Sequence, residues 1–130
     1  MNLNGSIKKE VSISTLDDML ETALWSTIGY NEDGSDYVLD AKYSIEDISE
    51  EFKEKCQSVI NKFLLDATDY LTQDELNNSP IGHDLWLTIH GHGAGFWDGD
   101  YENGKKLTEL CKQFEKLGLE DELQGSLKER

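Results

Sequence analysis

The stretch "YSIEDISEEFKEKCQSVINKFLLDATDYL" constrains this chain more than any other. Phe52, Cys56, Val59, Ile60, Phe63, Leu64, Ala67 and Leu71 recur every three or four residues, which places them on one stripe of an α-helix. Ser49, just ahead, offers a hydroxyl oxygen to the unpaired amides of the first turn. The spacing predicts a helix over residues 49–71. Its stripe has to be covered, so other elements must present matching apolar faces.

Two more segments supply them. In "SISTLDDMLETALWSTIGY", Leu16, Met19, Leu20, Ala23, Leu24 and Ile28 show helical spacing, with Ser14 or Thr15 as the N-cap and Asp17 and Asp18 at the positive end of the helix dipole. "ENGKKLTELCKQFEKLG" repeats the pattern at Leu107, Leu110, Cys111, Phe114 and Leu117, and Gly118 sits where a C-terminal cap belongs. Between these helices, "YNEDGSDYVLD" reads as a loop around Gly34, pinned to the core by Tyr37, Val38 and Leu39. Thr72 and Glu75 form a capping box, but Asn77, Asn78 and Pro80 stop the helix it starts after a turn or so. Residues 1–12 read as a loose arm or a short edge strand. Residues 119–130, with Leu119, Leu123 and Leu127, read as a third short strand or a tail.

The remaining block, "HDLWLTIHGHGAGFWDGDY", gathers two of the three Trp, all three His and four of the eleven Gly. Residues 85–89 form a short apolar run between Gly82 and a glycine cluster, which favours a buried strand. "GHGAG" then turns the chain, and Phe96 and Trp97 begin a second strand. The expected fold class is α+β: a single small domain over residues 1–130, with about three helices packed on a short antiparallel β-hairpin or three-stranded sheet.

Length and composition bound the function. A chain of 130 residues can bury a core without disulfides or metal. Cys56 and Cys111 sit in different predicted helices and form no C-x-x-C pair, so both are expected to be reduced, half-buried packing residues. No apolar run is long enough to cross a bilayer, and the first residues lack the apolar core of a signal peptide, so a cytoplasmic protein is expected. Charge is the strongest global feature: 27 acids against 12 bases give a formal −15. Such a surface repels nucleic acid and anionic membrane and attracts basic partners.

The His-rich block admits several chemistries. His90 and His92, with Asp98 and the nearby His83, Asp84 and Asp100, offer imidazole and carboxylate groups that could ligate a metal or serve a small His/Asp hydrolase. Against this, Gly91 and Gly93 make the segment a turn in which the directions of the imidazoles are not set, and no nucleophile lies beside them. "GHGAG" lacks the Lys of a phosphate loop and is followed by Phe96 and Trp97 instead of a helix start. No metal and no other cofactor is therefore expected. Trp86, Phe96 and Trp97 read as core filler; the alternative is an exposed recognition patch built with His92, Gly93, Gly95 and Asp98.

Residues 84–98, "DLWLT" followed after Ile89 and His90 by "GHGAGFWD", resemble a signature of small acidic proteins encoded by tailed bacteriophages. The likeness extends more loosely to "YSIEDIS" and the helix after it. Members of that family more often carry a neutral or basic pair where this chain has Ile89 and His90, which argues against a mechanism needing His90. The resemblance and the charge together imply an accessory protein in the host cytoplasm that binds a host protein and inhibits or modulates it, in the manner of an anti-defence factor. The expected binding face comprises Asp17, Asp18, Glu21, Glu46, Asp47, Glu50, Glu51 and Glu54. Their carboxylates would mimic nucleic acid by occupying a basic site built for phosphates.

Overall fold

A 24-residue helix, α1 (Leu3–Ser26), opens the fold and carries Met19, Leu20, Ala23 and Leu24 into the core. The computed structural model describes residues 3–91, 95–98, 101–119 and 123, and for residues 3–14 and 98 the backbone alone. The helix runs through Ser14 and Thr15, which are interior positions and not caps, and residues 3–12 share its helical backbone. It stops at Ser26, so Ile28 falls outside the stripe and is exposed.

A tight hairpin follows, β1 (Ile28–Tyr30) and β2 (Asp36–Val38), antiparallel with Ile28 opposite Val38, Gly29 opposite Tyr37 and Tyr30 opposite Asp36. Its turn is specified by sequence. The Gly34 amide donates to the Asn31 carbonyl (3.0 Å), Gly34 takes φ +92°, and the Asp33 carboxylate accepts from the Ser35 amide (2.9 Å) and hydroxyl (2.6 Å). Leu39 then plugs fully into the core, and a 3-10 turn (Ile45–Asp47) leads to α2 (Glu50–Ala67). Ser49 caps α2 as expected, its hydroxyl accepting from the Phe52 amide at 3.1 Å. Phe52, Cys56, Ile60, Phe63 and Ala67 form the buried stripe, continued by Leu71.

The capping box at Thr72 and Glu75 starts α3 (Gln73–Asn78), and α4 (Ile81–Ile89) follows directly. Here the structure corrects the sequence reading: residues 85–89 are helical, Phe96 and Trp97 lie in a 3-10 turn (Phe96–Asp98), and the hairpin is at residues 28–38 instead. The reason is burial. Leu85, Trp86 and Leu87 are buried in succession, and a short unbroken apolar run does not distinguish a buried helix from a strand. Gly82 does not bound a strand; it lets α4 cross α1 closely, since a Cβ there would collide with the Thr15 carbonyl oxygen.

The last helix, α5 (Gly104–Leu110), is shorter than its pattern predicts and tightens into a 3-10 turn (Cys111–Gln113) before Phe114 becomes extended. Gly118 does take the left-handed conformation (φ +68°), but at the end of an irregular segment. Leu119 and Leu123 are helical and buried, so a strand at 119 is not formed; the other residues after 119 lie outside the described ones. The architecture is thus α+β, with five α-helices among the described residues and a two-stranded hairpin at one side of α1. Cys56 and Cys111 are free thiols, fully rather than half buried.

Candidate functional site

The His-rich block begins as α4 and folds back on it. Phe96 is fully buried, stacked on Phe63 of α2 (centroids 5.1 Å apart, 12° between planes), with Tyr101 edge-on against it at 5.0 Å. The Phe96 amide donates to the Thr88 hydroxyl (3.1 Å). Gly95, at φ +135°, passes so near Thr88 that a Cβ would overlap its hydroxyl oxygen. Tyr101 donates to Asp84 Oδ2 (2.8 Å), and burial, then this bond, pushes its phenol well above the ordinary range. On the far side the buried Glu75 carboxylate accepts from the Thr72 amide (2.9 Å) and, through Oε2, from the Glu102 amide (2.9 Å). These bonds make the block a clasp that closes the chain over the core.

His90 belongs to the clasp. Its Nε2 accepts from the Leu117 amide (3.0 Å), so the ring proton is on Nδ1 and is donated to the Trp86 carbonyl (2.9 Å). The ring lies flat on Trp86 at 3.8 Å. A neutral imidazole has one donor and one acceptor, and both are used, so a metal would have to displace Leu117 from the only lone pair. His83 is likewise held: the Thr22 hydroxyl gives its proton to the Asp18 carbonyl (2.7 Å) and so accepts from His83 Nδ1 (3.2 Å). His92, Gly93, Asp100 and the Asp98 side chain lie outside the described residues. Among the described residues no three His, Cys, Asp or Glu side chains gather as a metal site.

The aromatic trio splits. Trp86 and Phe96 are core, as expected, whereas Trp97 is 57 % exposed and does not fill the interior.

The acidic residues fall on one end of the sequence and on neighbouring elements, since α1 packs against both α2 and the 45–47 turn. Asp17 and Glu21 are exposed one turn apart on α1, and Asp18 is half-buried beside them. Glu50, Glu51 and Glu54 are exposed in the first turns of α2. Glu46 and Asp47 have local duties as well: the Ser44 hydroxyl donates to Glu46 (2.7 Å), holding its carboxyl below the usual range, and Asp47 accepts from the Ser44 amide (2.9 Å). Two ion pairs occur among the described residues, Lys53 with Glu50 (3.5 Å) and Lys62 with Asp66 (3.3 Å). Of the eight predicted binding acids, only Glu50 takes part in one.

The sequence reading missed a second surface. Trp25, Ile28 and Tyr30 are large, apolar and exposed where α1 passes into β1. The signal was faint but present: "IGY" alternates apolar and small residues and "DYV" adds β-favouring residues on the other side of an Asp-Gly turn, the pattern of a short hairpin. Comparison of the chain with protein families, with curated proteins and with solved structures finds no match. No helix among the described residues is long and apolar enough to cross a membrane.

Proposed function

We propose that this chain is an accessory protein of the tailed-bacteriophage type that binds a basic host protein and blocks or modulates it by standing in for nucleic acid. One observation carries the reading: Asp17, Glu21, Glu51 and Glu54 project into solvent from adjoining helices without ion-pair partners among the described residues, in a chain of net charge −15. Carboxylates left unneutralised on rigid helices keep a strong negative field, which steers and retains a cationic surface. The fixing of His90 by Trp86 and Leu117 favours this reading over a metal-dependent or His/Asp hydrolase.

The test uses four reversals chosen to spare the turn at Ser44: Asp17→Lys, Glu21→Lys, Glu51→Lys and Glu54→Lys in one chain. Wild-type protein immobilised in bacterial lysate is expected to retain a nucleic-acid-handling protein that elutes with moderate salt and is displaced by duplex DNA or RNA. The reversed chain should melt at nearly the same temperature and retain none of it. Equal capture by both chains, or indifference to salt and nucleic acid, would end the mimicry reading.

A further inference from the structure

Trp25, Ile28 and Tyr30 are 46, 41 and 60 % exposed, although they sit within six residues of one another. The strand cannot turn Ile28 and Tyr30 inward. Its other face is pressed on the core at Gly29, where a Cβ would lie 2.8 Å from Leu39 Cδ2 and 2.9 Å from the Tyr37 ring. Ile28 and Tyr30 therefore share the outward face. Trp25 is positioned too: its ring rests against His83 (5.6 Å), which Thr22 holds in place.

The surroundings are acidic. Glu21 lies one turn before Trp25 on the same helix, Asp36 is directly across from Tyr30, and Glu32 and Asp33 line the turn beyond. Lys42, the only base between Glu10 and Glu51, is occupied with the Tyr37 ring (4.3 Å) and the Asn31 amide oxygen. An apolar centre with a carboxylate rim complements a segment of inverse design.

We propose that Trp25, Ile28 and Tyr30 form the anchor for a basic protein segment, one that seats an apolar or aromatic side chain on them and sets Lys or Arg against Glu21 and Asp36. This rests on the acidic-surface reading above and adds where the partner docks and what chemistry it brings. Long-range charge governs encounter, while a desolvated aromatic centre governs how long the complex lasts. A second copy of this chain fits poorly, because it would set one acidic rim against another.

Two labelled peptides of equal length and charge serve as probes: a lysine-rich peptide with a Leu-Trp-Leu centre, and the same peptide with Ser-Gly-Ser there. Wild-type protein is expected to bind the first about tenfold more tightly at moderate salt. Trp25→Ser with Tyr30→Ser should erase that difference, and Trp97→Ser should leave it. If the double variant fails to fold on melting, the single changes Trp25→Ser and Tyr30→Ser decide, each by narrowing the difference between the two peptides. A preference surviving in the double variant, or lost with Trp97→Ser, overturns the anchor. So does equal, salt-sensitive binding of the two peptides, which leaves the acidic surface standing; no binding at low salt removes both. A dimer abolished by Trp25→Ser would also overturn it, by making the patch a self-interface.

Discussion

Trp86 and Trp97 belong to one aromatic block in the sequence and to opposite environments in the fold, at 1 % and 57 % exposure. Truncating the first opens a cavity beneath His90, so Trp86→Ala should cost roughly 3–5 kcal/mol in urea unfolding. Trp97→Ala should stay within about 0.5 kcal/mol of wild type, as surface changes do. Equal costs would mean that Trp97 is also interior. The two thiols allow a test by pH. Burial pushes Cys56 and Cys111 from an ordinary 9.0 up to about 12. Between those values the unfolded chain loses protons that the folded chain keeps, so the thiols' stabilisation is complete below pH 9 and is lost as pH rises toward 12. Each contributes a slope of up to about 1.4 kcal/mol per pH unit. Cys111→Ala should lower stability at neutral pH yet flatten this alkaline decline; an unchanged slope would show that the thiol ionises freely in the folded protein.

At the level of elements, α2 was legible except at its end, because a long helix with one buried stripe repeats its signal several times and its cap is local; the apolar stripe carries on to Leu71, but the α-helix stops at Ala67 and tightens into a 3-10 turn (Thr68–Tyr70). The Thr72 box was legible for the same reason. α4 was not. It has nine residues, and Leu85, Trp86 and Leu87 are buried in succession, so its central run reads as a strand as easily as a helix. The glycine cluster after it then drew the hairpin assignment away from Asp33 and Gly34, where strands of three residues give little alternation to read. The start of α1 was misplaced because Ser14 and Thr15 are good caps in isolation, and only the fold shows that Thr15 is buried against Gly82. Of the candidate site, Asp17, Glu21, Glu50, Glu51 and Glu54 were readable as exposed helix positions, but Asp18 is half-buried and Glu46 and Asp47 lie in the 3-10 turn before α2; the roles of His90 and Glu75 depend on Leu117 and Glu102, each 27 positions away in sequence. The α1–α4 crossing yields the element-scale prediction. Gly82→Ala would raise helix propensity in an exposed helix, by about 1 kcal/mol. Here the methyl meets the Thr15 backbone, which cannot swing aside as a side chain could, so the variant should instead lose roughly 1–3 kcal/mol or more by forcing the helices apart. Thermal unfolding decides by the sign alone.

The whole molecule carries its charge at a cost. With 27 acids, 12 bases and two ion pairs among the described residues, the folded state concentrates like charges that the unfolded chain spreads apart. Salt shortens the reach of that repulsion, from about 10 Å at 0.1 M to about 3 Å at 1 M. Stability should therefore rise with sodium chloride, by a few degrees in melting temperature between dilute buffer and moderate salt. The acids proposed to meet the partner ought to contribute most to this effect. Glu51→Gln with Glu54→Gln, beside the already acidic turn at Glu46 and Asp47, should stabilise the protein in dilute buffer and reduce its response to salt. A control pair remote from that turn, Asp69→Asn with Asp74→Asn, should change the response less. Asp74 accepts from the Asn78 side-chain Nδ2, so its substitution carries a separate, salt-independent loss that the comparison of slopes removes. Melting curves across a salt series would show the opposite order, or a fall with salt, if these carboxylates were neutralised within the fold; the surface would then lack the unspent field on which partner binding is proposed to rest.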